Sequence, residues 1–190
     1  MKIIPTPLPD IILLAPIYHE DERGFFMESF HKKNLSNLGI NFECDFIQDN
    51  HSLSREAGTL RGLHFQNNPK AQTKYVRCTR GAIWDVVVDI RRSSPTYGKW
   101  HAEILSAHNK RILIVPKGFA HGLVTLVPDT EVLYKVDEYY SPECDRSILW
   151  NDPELNITWP VDHPKLSKKD LLAPTLNSSD HNFEYQSEKK

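Results

Sequence analysis

The chain has 190 residues, 39% hydrophobic and 25% charged, the profile of a soluble globular protein able to bury one substantial core. Its formal net charge of -2 excludes a broad basic surface for nucleic acid or anionic lipid, so any anion site must be a local cluster of basic side chains. No apolar run approaches the roughly 20 residues that span a bilayer. Pro5, Pro7 and Pro9 interrupt the start of the chain as a secretory signal. Cys44, Cys78 and Cys144 are scattered and in no CxxC pair, which suits unpaired thiols in a reducing cytoplasm better than disulfides or structural zinc.

Helical periodicity is scarce. The best helix runs from Phe30 to Leu38 and ends at Gly39. Beyond it the chain reads as short strands. Trp84, Val86, Val88 and Ile90 alternate with Ile83, Asp85, Val87 and Asp89, a period of two. Arg111 to Val115 forms a further strand that stops at Pro116, and Val132, Tyr134 and Val136 alternate with Glu131, Leu133 and Lys135. Ser93-Ser94-Pro95 and Pro128-Asp129 mark turns. Many short strands with such turns predict an all-β fold, a sandwich or jelly roll. Ser141 to Pro174 is proline-rich and irregular, with a short helix near Ser167. The expected organisation is one domain over 1–176 and a loose polar tail over 177–190.

Several segments could carry chemistry. Arg61 and His64 lie close together in Leu60-Arg61-Gly62-Leu63-His64-Phe65-Gln66, and Lys74 and Asp85 follow. Pro116-Lys117-Gly118-Phe119-Ala120-His121 is a PxGxxH turn that delivers a histidine. It resembles the second motif of cupins, double-stranded β-helix barrels. Metal-binding cupins usually add a HxH pair and a glutamate; here the matching place is His64-Phe65-Gln66. Two histidines alone fall short of the three or more ligands a divalent ion needs. The expectation is therefore acid–base chemistry without metal or cofactor.

Six segments then occur in order: Asp21-Glu22-Arg23-Gly24-Phe25-Phe26, Phe46 to Ser52, Leu60 to Gln66, Pro116 to Gly122, Trp150-Asn151-Asp152-Pro153 and Leu166-Ser167-Lys168-Lys169-Asp170. Together they resemble the dTDP-4-dehydrorhamnose 3,5-epimerase family, from about Pro9 to about Pro174. The resemblance implies a cupin-type jelly roll with a few short flanking helices, and proton abstraction at C3 and C5 of a nucleotide-linked 4-keto-6-deoxyhexose. It implies His64 as the base, Asp170 as its carboxylate partner, Lys74 at the enolate oxygen and Tyr134 as the proton donor, most clearly for C5. Arg23, Glu28, Gln48, Asp49, Asn50, Arg61, His121, Tyr140 and Lys169 match substrate-binding positions. Tyr140 resembles the aromatic that stacks on thymine, and Asp145 stands where related sequences often carry Glu. The family also implies a cytoplasmic homodimer that exchanges N-terminal strands, for which Ile11-Ile12-Leu13-Leu14 is a suitable apolar run. Three other readings compete: a relative that inverts one carbon only, a catalytically silent sugar-nucleotide-binding cupin, and a metal-dependent cupin.

Overall fold

Period-two alternation decides which side chains enter the barrel. The structure, a computed structural model, describes residues 1–186. Strands β1 (Lys2–Ile4), β2 (Ile12–Ala15), β3 (Tyr18–Asp21) and β4 (Gly24–Met27) come first, then helix α1 (Lys32–Asn37). The middle is β5 (Gln48–Ser54), β6 (Leu60–Gln66), β7 (Lys74–Arg80), β8 (Ala82–Asp89) and β9 (Trp100–Ser106). There follow β10 (Ile112–Val115), β11 (Phe119–Thr125), β12 (Thr130–Val136), β13 (Asp145–Ser147) and helix α2 (Lys168–Leu171).

Two antiparallel sheets build the barrel, one in the order β1-β2-β10-β7-β12-β5 and the other β13-β6-β11-β8-β9, while β3 and β4 pair as a separate hairpin. This is the expected cupin-type jelly roll. Leu13, Val76, Ile83, Val87, Leu113, Leu123 and Val132 fill the space between the sheets. The alternate residues of β8, Val86 and Val88, pack instead with Ile148, Leu155, Ile157 and Leu176 on the outer face of the second sheet. That explains why β8 reads as apolar on both sides: the irregular segment after β12 covers its back. Leu35 and Ile40 cover Tyr75 and Ile112 on the outer face of the first sheet. Each such fully buried aliphatic side chain contributes about 1.5–3 kcal/mol.

One close approach shapes the site. β11 pairs with β6 at His121↔His64 and Leu123↔Arg61, so an extra residue bulges from β6 between them. Gly62 sits there at φ +139°, where a Cβ would lie 2.4 Å from the Gly122 Cα. Only glycine permits both the backbone angle and the contact.

Two expectations need correction. The helix is shorter than its periodicity suggests, because His31 caps it by accepting from the Asn34 N–H and the aromatic Phe30 packs against Phe46 and Tyr75 instead. The run Ile11 to Leu14 forms most of β2, which in the single chain pairs with β1 on one side and β10 on the other. The tail, in turn, is not loose over 177–186. His181 and Phe183 are 3% and 6% exposed, and Phe183 meets Phe65 edge-on at 6.2 Å. Arg92 N–H donates to the Phe183 carbonyl and Tyr185 N–H to that of Arg92, both at 2.9 Å. Two buried side chains suffice to hold a segment whose composition is polar. Residues 187–190 of the expected tail lie outside the described residues.

Candidate active site

The barrel opens on a cavity of about 520 Å³. Inward-facing positions of four strands supply Arg61 and His64 (β6), Lys74 (β7), His121 (β11) and Tyr134 (β12), and α2 adds Asp170. Six residues expected from the sequence thus converge across more than a hundred positions of chain. Ser52, Thr59, Lys165, Leu166 and Ser167 also line the cavity and were not singled out for it. For Ser52 the signal was available, since it alternates on β5 with Gln48 and Asn50.

Each histidine is held by a buried carboxylate. His64 Nε2 lies 2.5 Å from Asp170 Oδ1, and Asp170 is 2% exposed. Burial alone would raise the Asp170 carboxyl, but the hydrogen bond and charge of His64, with help from Ser167 and Lys169, hold it below the usual carboxylate range. With Nε2 engaged, Nδ1 is the nitrogen with a lone pair to offer. On the facing strand, His121 Nε2 sits 2.9 and 3.0 Å from the two oxygens of Asp85, a fully buried residue. The sequence marked Asp85 without giving it this partner.

Lys74 Nζ donates to the His64 carbonyl at 3.3 Å. Burial pulls its ammonium down to about 8, opposed by the charges of Asp85 and Asp145 and assisted by Lys169. Burial pushes the Tyr134 hydroxyl up, with Arg61 opposing and Asp145 adding to it, so it stays protonated at neutral pH. Arg61 Nε donates to Ser54 Oγ at 3.2 Å, which leaves the two terminal nitrogens of the guanidinium for an anion. Beside the cavity, Asp145 Oδ2 accepts from Tyr140 Oη at 3.1 Å and from Lys169 Nζ at 2.5 Å. Tyr140 is 59% exposed, an open aromatic face near the mouth. Gln48 Nε2 donates to Asn50 Oδ1 at 2.8 Å on the inner face of β5.

The remaining expected contacts lie elsewhere in this chain. Asp49 occupies the opposite face of β5 and pairs with Lys135 at 2.7 Å. Arg23 sits in the turn of the β3–β4 hairpin, its side chain 85% exposed and paired with Asp21. Glu28 accepts from Asn34 Nδ2 at 3.0 Å next to α1. Neither Arg23 nor Glu28 lines the cavity. Among the described residues no group of three or more His, Cys, Asp or Glu side chains is placed to hold a metal ion, and no helix is long and apolar enough to cross a membrane.

Fold and site together define a cupin-type jelly-roll protein whose barrel holds two histidine–carboxylate pairs, a half-buried lysine and a half-buried tyrosine around one cavity. The family model described as dTDP-4-dehydrorhamnose 3,5-epimerase matches residues 5–178, and the chain belongs to that family. The dTDP-4-dehydrorhamnose 3,5-epimerase of Salmonella typhimurium is 50% identical over 180 residues, 94% of this chain and 97% of that protein. The crystal structure of the Bacillus anthracis dTDP-4-dehydrorhamnose 3,5-epimerase with TDP and PPi bound is similar, with a TM-score of 0.88, 57% identity and coverage of 92% of this chain and 98% of the other. So is a dTDP-6-deoxy-D-glucose-3,5-epimerase from Legionella pneumophila in complex with dTDP-4-keto-L-rhamnose, with a TM-score of 0.93, 43% identity and coverage of 98% and 99%.

Proposed function

We infer that this protein is a dTDP-4-dehydrorhamnose 3,5-epimerase, converting dTDP-4-dehydro-6-deoxy-D-glucose to dTDP-4-dehydro-L-rhamnose in the cytoplasm, without metal or cofactor. The observation that carries the reading is the meeting of His64, Lys74 and Tyr134 in one cavity of a chain that belongs to this family. A proton α to the C4 ketone leaves readily only if the enolate charge is stabilised and a proton can return to the other face. His64, oriented by Asp170, removes it. Lys74 faces the enolate oxygen, and Tyr134 returns a proton. His121, fixed by Asp85, and Arg61, fixed by Ser54, hold the sugar and the diphosphate, while Tyr140 packs on the base. The products decide the matter chemically: borohydride reduction at C4 followed by acid hydrolysis should release L-rhamnose and 6-deoxy-L-talose. Release of only 6-deoxy-D-glucose and D-fucose would mean no epimerisation.

The burial of Lys74 gives a pH dependence. Its ammonium is charged below about 8 and neutral above, so stabilisation of the enolate is present on the acid side and lost as pH rises. kcat/KM, which reports groups of the free enzyme, should decline as pH rises through about 8. A flat profile to pH 9.5 would remove Lys74 from this role.

The protein acts as a homodimer in this reading. The β3–β4 hairpin leaves Ile17, Tyr18, Phe25 and Phe26 between 41% and 70% exposed, an apolar surface that a second copy would cover. Arg23 and Glu28 contact substrate only if the hairpin region of one protomer reaches the cavity of the other. Coexpression of Arg23→Ala with His64→Ala then restores one complete site in each mixed dimer, about a quarter of wild-type activity for random pairing of two symmetric protomers. No recovery in isolated mixed dimers would place Arg23 in its own protomer's site, and full activity of Arg23→Ala alone would place it outside both.

A further inference from the structure

The catalytic pair His64–Asp170 is not held by those two residues alone. Ser167 caps α2, its Oγ accepting from the Asp170 N–H at 3.1 Å. The same hydroxyl donates to Asp170 Oδ2 at 2.8 Å, while Oδ1 takes His64 Nε2 at 2.5 Å. The two carboxylate oxygens are therefore fixed from opposite sides, one by the histidine and one by the serine. A carboxyl group rotates about its bond to Cβ unless both oxygens are engaged, and α2 has only four residues, Lys168–Leu171, too few to be rigid by itself. Ser167 also borders the cavity, so its position bears on the reacting centre and not on a remote surface.

We propose that Ser167 is a positioning residue for the epimerisation: its hydroxyl locks the rotation of the Asp170 carboxylate and thereby the plane of the His64 imidazole. The proposal rests on His64 being the base, as argued above. It assigns the serine no contact with the sugar, so its loss should act on turnover and leave substrate affinity alone.

The experiment compares Ser167→Ala, Ser167→Gly and Ser167→Thr with wild type, measuring kcat and KM on dTDP-4-keto-6-deoxyglucose. Glycine at a helix N-cap is nearly as favourable as serine, whereas alanine is not, and threonine keeps the hydroxyl. If the hydroxyl positions the carboxylate, alanine and glycine both lose about tenfold in kcat, the worth of one hydrogen bond to a charged group, with KM within twofold, and threonine restores most of it. Glycine near wild type with alanine impaired would make Ser167 only a helix cap. A raised KM with kcat kept would put it on the substrate instead. Either result overturns the proposal, as does unchanged kcat in all three. A wild-type protein inert on this substrate would instead overturn the reading of the reaction itself, and the proposal with it.

Discussion

His64→Ala should abolish hydrogen exchange at both C3 and C5 of the keto sugar while leaving dTDP affinity within a few fold. A positioned general base is worth about a hundred- to ten-thousand-fold in rate, and in the proposed mechanism both carbons share this one base. The other histidine of the cavity, His121, is held by Asp85 on the neighbouring strand and is assigned to holding the sugar, so its presence should not rescue the variant. The nucleotide contacts assigned to Tyr140 and Arg61 do not pass through His64, so titration of the variant with dTDP by calorimetry should give a nearly unchanged dissociation constant. Exchange at a near wild-type rate would show that the base lies elsewhere. Loss of dTDP binding together with exchange would point to a damaged fold, since the replacement leaves Asp170, 2% exposed, without its partner.

Tyr134→Phe should produce a different defect. Tyr134 lies on the inner face of β12 between Val132 and Val136, so phenylalanine keeps the ring and its packing and removes only the hydroxyl. Burial keeps that hydroxyl protonated, as a proton donor must be. The variant should still take up solvent deuterium, but C5 inversion should fall at least about a hundredfold, the lower end for a lost general acid. C5 is then left in its original configuration in most of the product. Equal and total loss of abstraction and inversion would argue that the tyrosine serves the structure alone.

The legible and illegible parts of this molecule differ for physical reasons. Val132-Leu133-Tyr134-Lys135-Val136 could be read as a strand because one face is buried and the other is not. The short helix expected near Ser167 is α2, and Ser167 is its cap. The two-residue period also separates Asp49 from Gln48 and Asn50. Asp49 lies on the other face, where it pairs with Lys135. The packing of His181 and Phe183 was not legible, since single buried side chains in a polar segment have no periodicity. Nor could the sequence tell that Arg23 and Glu28 stand away from the cavity of their own chain: matching a position to a role carries no information about which protomer fills it. The His121–Asp85 pair required knowing that β11 lies against β8, a register fixed by the whole sheet.

In the proposed mechanism one cavity carries out proton transfer at two carbons. Incubation with dTDP-4-keto-6-deoxyglucose in D2O, followed by proton NMR of the sugar, tests it most directly. The expected result is deuterium at both C3 and C5 and accumulation of the L-rhamno ketone. Deuterium at one carbon only, or none while dTDP still binds, would contradict it.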